Sequence, residues 1–142
     1  MNLITNFVEN TLANGGSSLN YITGELDPKV GYFVSIQGHE STYIAEKFGS
    51  LSVGHYFEKV AFVLRPELFI GSWVHEGNVF MDLSEQITDK RRAIELGYAR
   101  NQLAIYDAAR GEVITLPSPQ TTGTTTQQKA YITSVINRLC EQ

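Results

Sequence analysis

The stretch FIGSWV–HEGN–VFMDL, residues 69–83, decides the fold. Leu68 to Val74 and Val79 to Leu83 are two short runs rich in aromatic and β-branched residues. Between them, His75-Glu76-Gly77-Asn78 places a glycine where a tight turn wants a positive φ. In the second arm Val79, Met81 and Leu83 alternate with Phe80 and Asp82, the period of a half-buried strand. The reading is a β-hairpin, with Trp73 and Met81 expected to pair across it.

Downstream, Ile87 to Asn101 reads as a helix capped by Thr88 or Asp89, with Ala93, Ile94, Leu96 and Tyr98 inward and Lys90, Arg91, Arg92 and Glu95 on the wet side. Gly97 inside that helix costs about 1 kcal/mol against alanine, which points to close packing. Leu103 to Tyr106 and Val113 to Leu116 predict a second hairpin around Gly111. Pro117 to Thr126 (PSPQTTGTTT) reads as an exposed, mobile loop, and Gln127 to Cys140 as a final helix.

Upstream, Gly31 to Gln37 has the bias of a strand, and Ser41 to Phe48 reads as one or two helical turns. From Val53 to Leu64 helical spacing competes with the β-formers of KVAFVL; the helix is favoured, with Ser52 as cap and Pro66 as terminator. Leu3 to Leu12 is a short amphipathic helix stopped at Asn14-Gly15-Gly16. Ser17 to Lys29, punctuated by Gly24, Asp27 and Pro28, reads as an ordered connector. Hairpins rather than crossovers imply an α+β fold: a mainly antiparallel sheet of about five strands with helices packed on one side. The expected organisation is one α+β domain over 1–116, a Thr-rich loop over 117–126 and a C-terminal helix over 127–142.

The composition narrows the function classes. A chain of 142 residues with 42% hydrophobic content supports a packed core, and 18% charged residues excludes charge-driven disorder. Eleven basic against fifteen acidic residues give a net charge of −4, scattered along the chain, which argues against a nucleic-acid coat or a polybasic membrane binder. The one cysteine, Cys140, excludes an internal disulfide and a multi-thiolate zinc site. With no basic n-region before an apolar core and no long apolar run, the expectation is a cytoplasmic protein without membrane association.

Few residues suggest chemistry. His39 and Glu40 follow the first predicted long strand, where a scaffold can aim catalytic groups, with Tyr32 or Ser35 as partners. A surface polar pair is the simpler reading. His55 and His75 show no HxH or HExxH spacing, so no metal and no cofactor is expected. Cys140 sits too near the terminus for a fixed nucleophile. Lys90, Arg91 and Arg92 form the one basic cluster, a weak candidate for nucleic acid that reads more simply as a solvated helix face. Aromatic residues reach 11%, somewhat above ordinary usage; most belong to the core, and Tyr32, Trp73 and Tyr131 are the candidates for a binding surface.

Two stretches resemble a family. Residues 15–36 carry two glycines, Thr-Gly-Glu and Gly-Tyr-x-Val-Ser. Residues 70–114 carry Gly-Ser-Trp-Val, Gly-x-Val-x-x-Asp-Leu-Ser, Asn-Gln-x-Ala-Ile-Tyr-Asp and Gly-Glu-x-Ile. Together they resemble small uncharacterised domains of phages, plasmids and other mobile elements, including pieces of their polyvalent proteins. The resemblance implies an accessory protein that binds a host or rival protein without catalysis, in a role such as counter-defence. Self-association is expected from the aromatic content, with the C-terminal helix beyond the Thr-rich loop as its place. The alternative is a small hydrolase or transferase using His39 and Glu40.

Overall fold

The computed structural model describes residues 2–118 and 125–141, so most of the loop expected over 117–126 lies outside the described residues. The fold is α+β, with four α-helices and seven strands among the described residues. Each strand pairing described below is antiparallel. The chain divides into two compact units, Met1–Pro28 with Ile36–Glu85, and Lys29–Ser35 with Gln86–Gln142.

In the first unit the helix α1 (Leu3–Asn14) begins where the Asn2 side chain accepts the N–H groups of Ile4 and Thr5. It ends where Gly15 turns left-handed at φ 86° and its N–H bonds the Thr11 carbonyl. The chain then enters β1 (Gly16–Leu19), which pairs with β4 (Leu68–His75); β4 pairs with β5 (Asn78–Ile87), and β5 with β3 (Ser41–Ile44). The hairpin closes through a two-residue turn, Glu76 at φ 48° and Gly77 at φ 79°, whose twist suits the flanking strands. Helix α2 (Ser50–Val60) runs on into a 3-10 turn, Ala61–Val63. Phe7, Leu19, Val53, Tyr56, Val60, Ile70, Met81 and Leu83 are buried in one core, each large side chain contributing about 1.5–3 kcal/mol.

That core holds a buried hydroxyl chain. Thr11 Oγ1 donates to the Phe7 carbonyl at 2.7 Å and lies 2.6 Å from Ser72 Oγ, which reaches the Ser17 carbonyl at 3.3 Å. Either hydroxyl can donate in the Thr11–Ser72 pair. Three elements are thereby tied through groups that would be costly to bury unpaired.

In the second unit β2 (Tyr32–Ser35) pairs with β6 (Ala104–Asp107), and β6 with β7 (Glu112–Thr115). Asp89 caps α3 (Lys90–Ala99) by accepting the Arg92 N–H at 3.0 Å. Asn101, at φ 53°, closes it, with the Gln102 N–H reaching back to the Gly97 carbonyl at 2.8 Å. Gly97 is buried, and a methyl there would come within 2.5 Å of Leu116 Cδ1 and 3.0 Å of Ile105 Cγ2. The close packing expected from that glycine is present. Helix α4 (Thr125–Cys140) buries Val135 and Ile136, the latter in a core with Val34, Ala93, Ile94, Ile105 and Leu116.

Several sequence expectations need correction. The strand total exceeds five, because the connector contains β1 and the segment read as helical turns starts with β3. GSSL has no β-forming bias, and its extended state comes from the ladder with β4. In Ser41–Ile44 the β preference of Thr, Tyr and Ile prevails, and only Ala45–Lys47 takes a 3-10 turn. Gly49, not Ser52, stands at the N-cap of α2; the Ser52 hydroxyl accepts the Gly49 N–H from inside the first turn at 3.2 Å. Finally, the two-residue turn sets Trp73 opposite Phe80 and Met81 opposite Ser72, so the expected Trp73–Met81 pair does not form.

Candidate binding surface

Strand alternation sorts the first unit's sheet into two faces. Ile70, Ser72, Met81 and Leu83 point to the core, and Gly71, Trp73 and His75 with Asn78, Phe80 and Asp82 point the other way. Register then arranges this outer face in rows. The central row runs Thr42, Phe80, Trp73, Gly16 across four strands. The Trp73 and Phe80 rings stack at 4.6 Å between centroids and 20° between planes. On the other flank of the indole the facing residue is Gly16, which offers no side chain. Trp73 accordingly stays 48% exposed.

The flanking rows are polar. His75 lies opposite Asn78, its ring 5.5 Å from that of Trp73. On the other side come Ser18, Gly71 and Asp82. The Asp82 carboxylate lies over Gly71, with Oδ1 2.5 Å from the position a Cβ there would take. A side chain at position 71 would have to displace that carboxylate. Gly16 is required by space, since a Cβ there would meet the Ser72 carbonyl oxygen at 2.8 Å.

The outer edge of β1 is closed by Asp27. Its carboxylate accepts the Ser18 N–H at 2.7 Å, the Ser17 hydroxyl at 2.9 Å and the Asn10 amide at 3.0 Å, and its own N–H bonds the Ser18 carbonyl at 2.8 Å. A strand edge occupied in this way is not open to pairing with another chain.

Charge divides between the units in a way the linear sequence hides. The first unit holds ten acidic and three basic residues, a net of −7. The second holds five acidic and eight basic, a net of +3, which restores the −4 of the whole chain. The exposed indole therefore sits on the strongly acidic unit.

The other expected site residues fall elsewhere. His39 and Glu40 are in the first unit and Tyr32 and Ser35 in the second. The His39 backbone carbonyl accepts the Tyr56 hydroxyl, and the Glu40 carboxylate accepts the Gly38 N–H at 3.2 Å. His55 Nδ1 lies 2.9 Å from the Tyr43 hydroxyl, and His75 Nε2 lies 3.6 Å from the neighbouring Glu76 carboxylate. Tyr32 stands opposite Asp107, and burial first, then that carboxylate, raises its phenol above the ordinary value. Tyr131 is on α4, exposed, in the second unit. Arg91 donates to Asn137 Oδ1 at 2.9 Å and so links α3 to α4, Arg92 is exposed, and Lys90 is half-buried. Among the described residues no group of three or more His, Cys, Asp or Glu could hold a metal ion. No described helix is long and apolar enough to cross a membrane.

Sequence reasoning found Trp73 but missed Phe80 and Gly16 as its neighbours. The signal was available, because a two-residue turn at Glu76-Gly77 puts 73 opposite 80. A scan against protein-family models, a search of curated proteins and a search of solved structures each returned no match.

Proposed function

We propose that this chain is a non-enzymatic binding protein, an accessory protein of a phage or other mobile element, and that it engages a host or rival protein through the outer sheet face around Trp73. The observation that carries the reading is the half-exposed indole: stacked on Phe80, unopposed over Gly16, and held on paired strands rather than on a loop. A large ring with a polar edge, fixed before binding, loses little conformational entropy when covered, which is why tryptophan anchors interfaces. The polar rows on either side supply a rim. The mobile-element assignment rests on the family resemblance of residues 15–36 and 70–114, and the host cytoplasm, where such a partner would be met, suits the free thiol of Cys140.

The test compares affinity capture from host-cell extract by the wild-type chain, by Trp73→Ala and by Tyr131→Ala. Capture of one protein by the wild type and by Tyr131→Ala, with loss in Trp73→Ala, is the expected pattern. Equal capture by all three would overturn the assignment of the face.

A further inference from the structure

Resting on that reading, we infer that the exposed indole of Trp73 takes a cationic side chain, an arginine in first place, presented by a basic segment of the partner protein. Three observations converge. Phe80 stacks on the indole, the residue facing it from β1 is a glycine, and the ring stays half-exposed, so a flat group has ring surface to lie against. The row beside it, two residues along the strand, carries Asp82. The unit as a whole carries a net charge of −7. An aromatic face attracts cations through its quadrupole, with tryptophan the strongest and guanidinium the most frequent partner. Guanidinium is also planar and weakly hydrated, which suits stacking on an indole better than an ammonium does. The same charge repels phosphate, so nucleic acid is disfavoured as the occupant.

The experiment is isothermal titration calorimetry of the intact chain with an acetylated, amidated Gly-Arg-Gly-Arg-Gly peptide, and with versions carrying lysine, citrulline or glutamate in place of arginine. Arginine should bind tightest and lysine next. Citrulline, which keeps the shape but not the charge, should bind about tenfold more weakly, and glutamate should not bind. Affinity should fall several-fold as salt rises.

Trp73→Ala should weaken the arginine peptide about tenfold. Ser18→Lys, which leaves the ring in place and sets an ammonium in the row beside it, should weaken it several-fold and guards against a Trp73 variant that fails to fold. Equal binding of arginine and citrulline peptides, or an affinity indifferent to both variants, would overturn the inference. So would self-association of the chain, seen by light scattering and lost in Trp73→Ala, because a second copy would then be the occupant. If peptide binding fails while capture from extract still depends on Trp73, the cationic inference falls and the assignment of the face stands.

Discussion

Gly16 stands directly opposite Trp73 in the β1–β4 ladder, so the indole has a ring neighbour on the β5 side and faces a residue without a side chain on the β1 side. A glycine at that one position both lets the strands approach and leaves the ring uncovered. The two effects can be separated experimentally, because Trp73 is the only tryptophan in the chain.

Emission from Trp73 should be that of a half-exposed indole, accessible to acrylamide in the free protein. Phe80→Ala should remove the stacked ring, raise the quenching constant and cost about 0.5–1.5 kcal/mol beyond the lost apolar area. Quenching that matches a buried indole would contradict the exposure.

Gly16→Ala should destabilise the protein by about 1–3 kcal/mol in a urea titration, because the new methyl meets a backbone oxygen that cannot rotate away. An unchanged midpoint would mean that β1 sits further from β4 than the register indicates.

Asp27→Ala removes the acceptor for one backbone N–H and two side-chain donors on two elements, α1 and β1. The expected loss is about 1–3 kcal/mol. Freeing the β1 edge should also make the variant more prone to aggregate, seen as light scattering on mild heating. Asp27→Asn keeps an acceptor and should fall between.

These residues show where sequence reading stops. The β4–β5 hairpin is legible because alternation and the Glu76-Gly77 turn agree with the tertiary structure, and the helix over Val53 is legible from its spacing. Strand β1 is not legible, since Gly16-Ser17-Ser18-Leu19 has no strand preference and acquires its state from β4 and Asp27. Nor is the charge division, because the acidic unit is assembled from two separated segments and only folding collects their carboxylates. Trp73 could be picked out as a single residue. Its row, and therefore its open flank, required the register.

Gly97→Ala pits a helix-propensity gain of about 1 kcal/mol against overpacking of about 1–3 kcal/mol. Overpacking should prevail, because Leu116 and Ile105 already stand within contact distance of an added methyl. A double-mutant cycle with Leu116→Val should recover part of the loss. Strict additivity would show that the two positions do not touch.

Alkaline pH should weaken the fold. Burial raises the phenols of Tyr32, Tyr43, Tyr56 and Tyr98 above their usual value near 10. The native state therefore keeps protons that the unfolded chain releases. Their stabilising effect is intact below pH 10 and declines as pH rises past it. Urea midpoints between pH 8 and 11 should fall, and less steeply in Tyr56→Phe, whose baseline should be lower by about 0.5–1.5 kcal/mol for the lost bond to the His39 carbonyl. Identical slopes in the two proteins would remove Tyr56 from the account.

The central claim, that the face around Trp73 is where the partner sits, is tested most directly by acrylamide quenching of Trp73 in the purified complex, with the partner's own tryptophans replaced by phenylalanine. The account predicts that binding shields the indole and lowers its quenching constant several-fold. A complex in which Trp73 is quenched as readily as in the free chain would contradict it.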